Sequence, residues 1–152
     1  MTKLAALEQK VAVHEQKFLA AEQKKNNHQK HFDNIGNKQY FIDNQNKMNW
    51  FAAKHRCQEL AAHLVSIQNE AEYKAVTALI DKGREYWIDI NDLVQEGLFL
   101  SDSTGRKAGY LNWSYAQPDN WNNVEHCVHL KNDNFQMNDA DCKNELYIIC
   151  EV

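Results

Sequence analysis

Four cysteines, at positions 57, 127, 142 and 150, constrain the fold of this chain more than any other feature. An even number of cysteines without a C-x-x-C pair is typical of disulfides in an oxidising compartment, and not of a zinc site. Three pairings are possible in principle. We favour a Cys127–Cys142 bridge that ties a hairpin, nested inside a Cys57–Cys150 bridge from an early helix to the last strand. The cysteines therefore predict a secreted, extracellular protein.

Length and composition fit one domain with a small additional segment. Apolar residues make up 43% of the 152 positions, which is enough to form a core. The formal net charge of −4 argues against a nucleic-acid partner, which would favour a basic face. The sequence has no run of about 18 apolar residues, so we expect no membrane span.

Residues 1–30 differ from the rest because they contain no glycine, proline or cysteine. A heptad repeat fits them. Its a positions are Leu4, Val11 and Phe18, and its d positions are Leu7, His14 and Ala21, so both are mostly apolar. Glutamates occupy the e positions (Glu8, Glu15 and Glu22) and lysines the g positions (Lys10, Lys17 and Lys24). The repeat predicts a coiled-coil stem that joins copies of the chain. The alternative is a lone solvated helix, which frays at this length. A polar linker is expected over Asn26–Lys30, and the main domain over residues 31–152.

The main domain shows the patterns of an α+β fold with two helices and short, mostly antiparallel strands. Asn49 and Asn69 are expected to cap the helices, the first ending near Leu60 and the second at Gly83. From Asn91 to Glu125 the residues follow no regular helix or strand pattern, which predicts a long loop. A loop of this length in a compact domain is normally functional. The expected strands are Gln39–Ile42, Leu64–Ile67, Tyr86–Ile90, Cys127–Leu130, Phe135–Met137 and Tyr147–Cys150.

A polar stretch surrounds Pro118, the only proline of the chain. Amide and carboxylate side chains gather within 23 positions here: Gln117, Asp119, Glu125, Asn138 and Asp139. Taken singly, each fits a polar turn or a solvated strand end. Together they are the oxygen ligands that calcium prefers. Trp121, close to them in sequence, offers a flat apolar face for a sugar.

In this order and spacing, the landmarks of residues 38–151 resemble a C-type lectin domain of the galactose type. They are Cys57, the strand Trp87–Ile90, Asn112-Trp113, Gln117-Pro118-Asp119, Glu125, Cys127, Asn138-Asp139, Cys142 and Cys150. The resemblance implies the C-type lectin-like fold with a long calcium-binding loop. The stem resembles the neck of oligomeric lectins, and secreted invertebrate and insect lectins are the most similar in character.

The resemblance also implies roles for individual residues. Calcium would be held by Gln117, Asp119, Glu125, Asn138 and Asp139, with the Gln117–Pro118 peptide in the cis form. Two vicinal sugar hydroxyls would bind the ion. The sugar-binding residues would be Gln117, Asp119, Trp121, Glu125 and Asn138. The order Gln-Pro-Asp goes with galactose-type sugars, and Glu-Pro-Asn with mannose-type sugars. The partners implied are galactose-containing glycans.

The sequence departs from the family pattern in three places. A possible second calcium site resembles Asp92, Glu96 and Asn120, but Asn120 and His126 stand at two of its acidic positions, which weakens calcium binding. Galactose binders often have a glycine-rich loop after the tryptophan, and only Asn122-Asn123-Val124 follows here. Met137 replaces a tryptophan, a change that a core strand tolerates.

Two other functions compete with sugar binding. A lectin-like domain that binds a protein or another ligand would show lost calcium ligands, and none is lost. An enzyme is not expected, because no nucleophile lies beside a base and calcium would engage the acids. His126 and His129 lie three apart on a strand and face opposite sides, which disfavours a zinc site shared by them. Asn112-Trp113-Ser114 is either a glycosylation sequon or a buried pair.

Overall fold

The computed structural model describes residues 2–29 and 32–152, with only the backbone of residues 21–29. The chain forms two compact units, Met1–Phe32 and Asp33–Val152. The first is a helix, α1 (Lys3–Gln29). The linker predicted over Asn26–Lys30 is wrong up to Gln29, because polar residues without glycine or proline do not interrupt a helix. Lys30 lies outside the described residues.

The large apolar side chains of α1 are largely exposed in the single chain. Leu4, Leu7 and Phe18 are 67%, 62% and 64% exposed, and Val11 is 53% exposed. These residues occupy the a and d positions of the predicted heptad. The coiled coil itself stays a prediction. No helix in the described ranges is long and apolar enough to cross a membrane.

The second unit contains two α-helices and a mixed sheet, as the α+β prediction requires. In chain order its elements are β1 (Phe32–Ile35), β2 (Lys38–Met48), α2 (Trp50–Glu59), β3 (His63–Leu64), α3 (Glu70–Thr77), β4 (Tyr86–Asn91), β5 (Leu100–Ser101), a 3₁₀ turn (Trp121–Asn123), β6 (Glu125–Leu130), β7 (Met137–Asp141) and β8 (Leu146–Glu151). Strand order is β1-β2-β8-β4-β6-β7, with β3 on β8 and β5 on β4. The β4–β8 pair is parallel, whereas the pairs β2–β8, β3–β8, β4–β5, β4–β6 and β6–β7 are antiparallel.

Asparagine caps begin both helices, as predicted. The Asn49 side chain accepts a hydrogen bond from the Ala52 N–H at 2.8 Å, and Asn69 accepts one from Glu72 at 2.9 Å. The prediction that α3 continues to Gly83 is wrong, because α3 ends at Thr77. Gly83 lies in a later turn.

The strand predicted over Phe135–Met137 is shifted. Phe135 has φ +57°, and its N–H donates a hydrogen bond to Lys131 O at 3.1 Å, which closes a turn. Strand β7 therefore begins only at Met137. Met137 is buried, and its N–H donates to Asn112 O at 2.7 Å. The Tyr73 hydroxyl donates to Phe135 O at 2.9 Å, and Asn112 and Trp113 are both half-buried.

The predicted disulfides, Cys57–Cys150 and Cys127–Cys142, are both formed. They lie in one apolar cluster with Trp50 of α2 and Trp87 of β4. The Trp50 indole N–H donates to Ile88 O at 2.9 Å. A second cluster on the opposite side of the sheet contains Tyr40, Val65, Val76, Ile88, Ile90, Val128, Leu130 and Ile149. Strands β4, β6 and β8 each contribute buried residues to both clusters, and β6 leads directly to the candidate site.

Candidate functional site

Two paired strands carry three of the five predicted calcium ligands. β6 begins at Glu125, and Asn138 and Asp139 follow the first residue of β7. The antiparallel register sets Asn138 opposite His129 and Asp139 opposite Val128. Because β6 is buried between the cores, the sheet fixes where these three ligands lie.

Asp139 joins the loop around Pro118 to β7. The Asp139 side chain is fully buried. Its Oδ1 accepts a hydrogen bond from the Asp119 N–H at 3.1 Å, and its Oδ2 accepts one from the Asn120 N–H at 2.8 Å. The Gln117–Pro118 peptide is cis, as the resemblance implied. The buried carboxylate therefore positions the predicted ligands on the loop relative to those on the sheet.

Three carboxylates converge at this point. Oxygens of Asp119, Glu125 and Asp139 all lie within 4.8 Å of one another. Burial, together with a hydrogen bond to Asp119, raises the pKa of Glu125 to about 7, although the Trp121 N–H donates to Glu125 Oε1 at 3.0 Å and opposes the rise. Like charges at such separations favour the uptake of a proton or the binding of a cation.

The side-chain amide of Gln117 provides the test of whether a cation fits. Its oxygen faces only other oxygens, at 3.1 Å from Asp119 Oδ1, 2.9 Å from Asp139 Oδ1 and 2.7 Å from Asn138 Oδ1. This arrangement requires either rotation of the amide, so that its NH2 donates to these oxygens, or a cation between them. Oxygens bound to calcium at about 2.3–2.6 Å lie about 3 Å from their neighbours. The donor set therefore fits calcium.

His129 orients one of these oxygens. The His129 ring is buried, and burial lowers its pKa, so the neutral form is favoured. With its proton on Nδ1, 3.2 Å from Leu130 O, the ring accepts a hydrogen bond at Nε2 from Asn138 Nδ2 at 3.0 Å. Engaging Nδ2 in this way leaves Asn138 Oδ1 directed at the Gln117 amide. Nothing in the pattern of residues around His129 predicted this role.

Asparagines form the short loop after Pro118. Asn120, Asn122 and Asn123 have φ values of +43°, +55° and +59°. Asparagine adopts this left-handed conformation more easily than other residues with side chains, so the missing glycines are not needed to form the turn. The Asn120 Oδ1 accepts a hydrogen bond from the Glu125 N–H at 3.1 Å. Trp121 is 65% exposed, so its ring remains available for a ligand.

Tyr115 is a second exposed aromatic residue near the site, and the sequence analysis missed it. Its side chain is 96% exposed, two positions before Gln117. The available signal was an aromatic residue in a polar loop beside the Gln-Pro-Asp motif. Exposed aromatic rings are common where a protein contacts a ligand with an apolar face.

Two residues of the possible second calcium site, Asp92 and Glu96, also lie together, but His126 and not Asn120 is the third residue beside them. Asp92 and Glu96 lie beside His126, and the three ligand atoms are within 4.8 Å of one another. Asn120, the third residue predicted there, uses its side-chain oxygen to accept from Glu125. His126 and His129 contact different partners, as their positions on a strand predicted.

Comparison with known proteins agrees with this geometry. Residues 46–152 match the family described as "Lectin C-type domain". C-type lectin 37Db of Drosophila melanogaster is 36% identical over 120 residues, covering 78% of this chain and 79% of that protein. The galactose-specific lectin nattectin of Thalassophryne nattereri is 35% identical over 115 residues, covering 72% and 71%.

A solved structure shares the fold. The carbohydrate-recognition domain of the mouse scavenger receptor C-type lectin superposes with a TM-score of 0.75 at 30% identity, covering 80% of this chain and 93% of that one. The match to the lectin domain spans more than half of the 152 residues. The chain therefore belongs to the C-type lectin domain family, a class of carbohydrate-binding proteins and not of enzymes.

Proposed function

We propose that this protein is a calcium-dependent lectin that binds galactose-type glycans through two vicinal hydroxyls on a bound calcium ion. The observation that carries the proposal is the convergence of the Asp119, Glu125 and Asp139 carboxylates, whose ligand oxygens all lie within 4.8 Å of one another. Calcium would be held by Gln117, Asp119, Glu125, Asn138 and Asp139, and would supply an electrophilic centre for the sugar hydroxyls.

The same side chains can orient the sugar. Carboxylates accept hydrogen bonds from sugar hydroxyls, and the amide NH2 groups of Gln117 and Asn138 donate to them. The order of amide and acid around Pro118 supports the galactose type. Trp121 supports it further, because an exposed indole can stack on the apolar face of the sugar.

The competing function is binding of a protein or another ligand without sugar. That function would be favoured if the chain lacked calcium ligands. All five ligand positions hold oxygen donors, and the three carboxylates converge within 4.8 Å. A set of mutually repelling groups without a role in cation binding would only reduce stability. The retained set therefore supports sugar binding over the alternative.

The stem would gather several binding sites. One ion and two hydroxyls make a shallow contact, so a single domain should bind a monosaccharide weakly, with a Kd of about 1 mM. Linked sites can exceed the affinity of one site by about 10²–10⁴. The exposed apolar residues of α1 support a homo-oligomer. The two disulfides support secretion, because such bonds persist outside the cytosol.

A galactose resin tests the proposal. The full chain should be retained in calcium, released by a chelator and released by free galactose more readily than by mannose. Glu125→Gln should abolish retention, because it removes one anionic ligand while preserving size. Glu145→Gln is the matched control, since Glu145 is exposed and outside the site, and this variant should bind as the parent does.

Both variants should keep the circular dichroism spectrum of the parent, which shows that any loss is local. Retention that is unaffected by the chelator would contradict the calcium role. Retention of Glu125→Gln equal to that of Glu145→Gln would contradict the assignment of the site. Binding to a broad glycan array without any galactose-type preference would contradict the sugar class alone.

A further inference from the structure

A second group of ligand atoms lies outside the five proposed calcium ligands. Asp92 follows β4, Glu96 lies in the next loop, and His126 is the second residue of β6. His126 Nδ1 is 3.1 Å from Asp92 Oδ1 and 3.3 Å from Glu96 Oε2. The Asp92 N–H donates to His126 O at 3.0 Å, so the backbone joins the loop to the strand. The loop after β4 and the beginning of β6 thus bring three ligand atoms to one point.

A single ring nitrogen faces both carboxylates, and it can carry only one proton. That proton serves two acceptors poorly, whereas a metal ion can bind all three groups at once. In a tetrahedral zinc site with ligand bonds of about 2.0–2.1 Å, neighbouring ligand atoms lie about 3.3 Å apart. The distances of 3.1 and 3.3 Å from Nδ1 match this separation.

The site is also held in place in advance. The Asp92 side chain is fully buried, and its Oδ2 accepts a hydrogen bond from the Gly97 N–H at 2.9 Å. This bond orients the carboxylate and leaves Oδ1 towards His126. The Glu96 side chain is 51% exposed, so one side of the group is open to water. Three protein ligands and one open position are a common zinc arrangement.

The ligand types distinguish between ions. Calcium takes six to eight oxygens, and this group offers two carboxylates and an imidazole. Asn120, which could add an oxygen, already accepts from the Glu125 N–H. Imidazole nitrogen suits zinc and related transition metals. His126 therefore changes the preference of this position away from calcium.

We propose that Asp92, Glu96 and His126 form a zinc-binding site with a fourth, solvent-filled coordination position. This site is distinct from the proposed calcium and sugar site, although His126 follows Glu125 directly. The exchange of an acidic residue for histidine is a feature of this chain's own sequence.

The test is a zinc titration of the full, untagged chain in a large excess of calcium, which keeps zinc out of the other site. Calorimetry should show one zinc equivalent, and Co²⁺ should give the visible absorption of a tetrahedral ion. His126→Gln should lose that equivalent and the absorption. His55→Gln is the matched control, because His55 also lies 3.1 Å from a glutamate, Glu59, but is 72% exposed and has no second carboxylate in its ion pair.

A third variant tests the preference directly. His126→Asp should lose the zinc equivalent and gain a calcium equivalent, and gel filtration with circular dichroism establishes that each variant is folded. Equal zinc binding by the parent and His126→Gln would overturn the proposal, as would calcium displacing zinc from the parent. Retention on galactose resin is a separate readout, so failure of the zinc site and failure of the sugar site can be told apart.

Discussion

Competition between protons and calcium at Glu125 is the sharpest consequence of the site. Burial and the Asp119 carboxylate raise the pKa of Glu125 to about 7. In the proposed site calcium would bind the ionised carboxylate, so we expect the affinity to be full above this pKa and to be lost as the pH falls through it. An ordinary glutamate, with a pKa of about 4.3, would lose affinity only in a much more acidic range.

The size of the effect follows from one competing proton. The apparent Kd rises by the factor 1 + 10^(pKa − pH), which is about 1.1 at about pH 8 and about 11 at about pH 6 for a pKa of about 7. We therefore expect calcium affinity to fall about tenfold over this range, equivalent to about 1.4 kcal/mol. With an ordinary pKa the same factor stays at about 1.

Calorimetric titration with calcium at about pH 8, 7 and 6, in two buffers of different ionisation enthalpy, measures both the affinity and the protons released. Release should approach one proton per calcium at the lowest of these pH values. His126 follows Glu125 directly in the sequence, so His126→Gln serves as the control and should keep the tenfold fall. A constant Kd from pH 8 to 6 with no proton release would refute the role of Glu125.

Three further outcomes are expected. Gln117→Glu combined with Asp119→Asn should shift inhibition from galactose towards mannose, and unchanged selectivity on the resin would show that the order around Pro118 does not select the sugar. His129→Phe should weaken calcium binding about 10–100-fold, as the loss of an orienting partner does, while His129→Gln, which keeps an acceptor for Asn138, should largely recover it in the same titration. Deleting residues 1–30 should leave monosaccharide affinity unchanged but reduce binding to a dense galactose surface, and light scattering that finds a monomer at high concentration would contradict the stem's role.

Much of the fold was predictable because its signals are local. Asn49 and Asn69 mark the starts of both helices, since a capping side chain satisfies backbone N–H groups within three residues of itself. The cysteine positions pointed to the nested bridges. The end of α3 was not predictable in this way, because Gly83 serves a turn whose N–H binds the Asn132 carbonyl, a partner distant in sequence.

The candidate site was also predictable in part, for its residue types but not for their contacts. The sequence determined which oxygen donors are present and in what order, and it brought Trp121 to their neighbourhood. Only the tertiary structure decided how they interact: β6 and β7 pair, Asp139 becomes buried, and its carboxylate holds the backbone of Asp119 from 20 positions away. The raised pKa of Glu125 depends on that convergence.

His126 and His129 show most clearly why the roles of side chains depend on the tertiary structure. In the sequence they are two histidines on either side of Cys127. In the fold, one faces Asp92 and Glu96 and the other supports Asn138 from inside the core. A side chain's chemistry is set by the groups that surround it, and those groups come from strands and loops that only folding brings together.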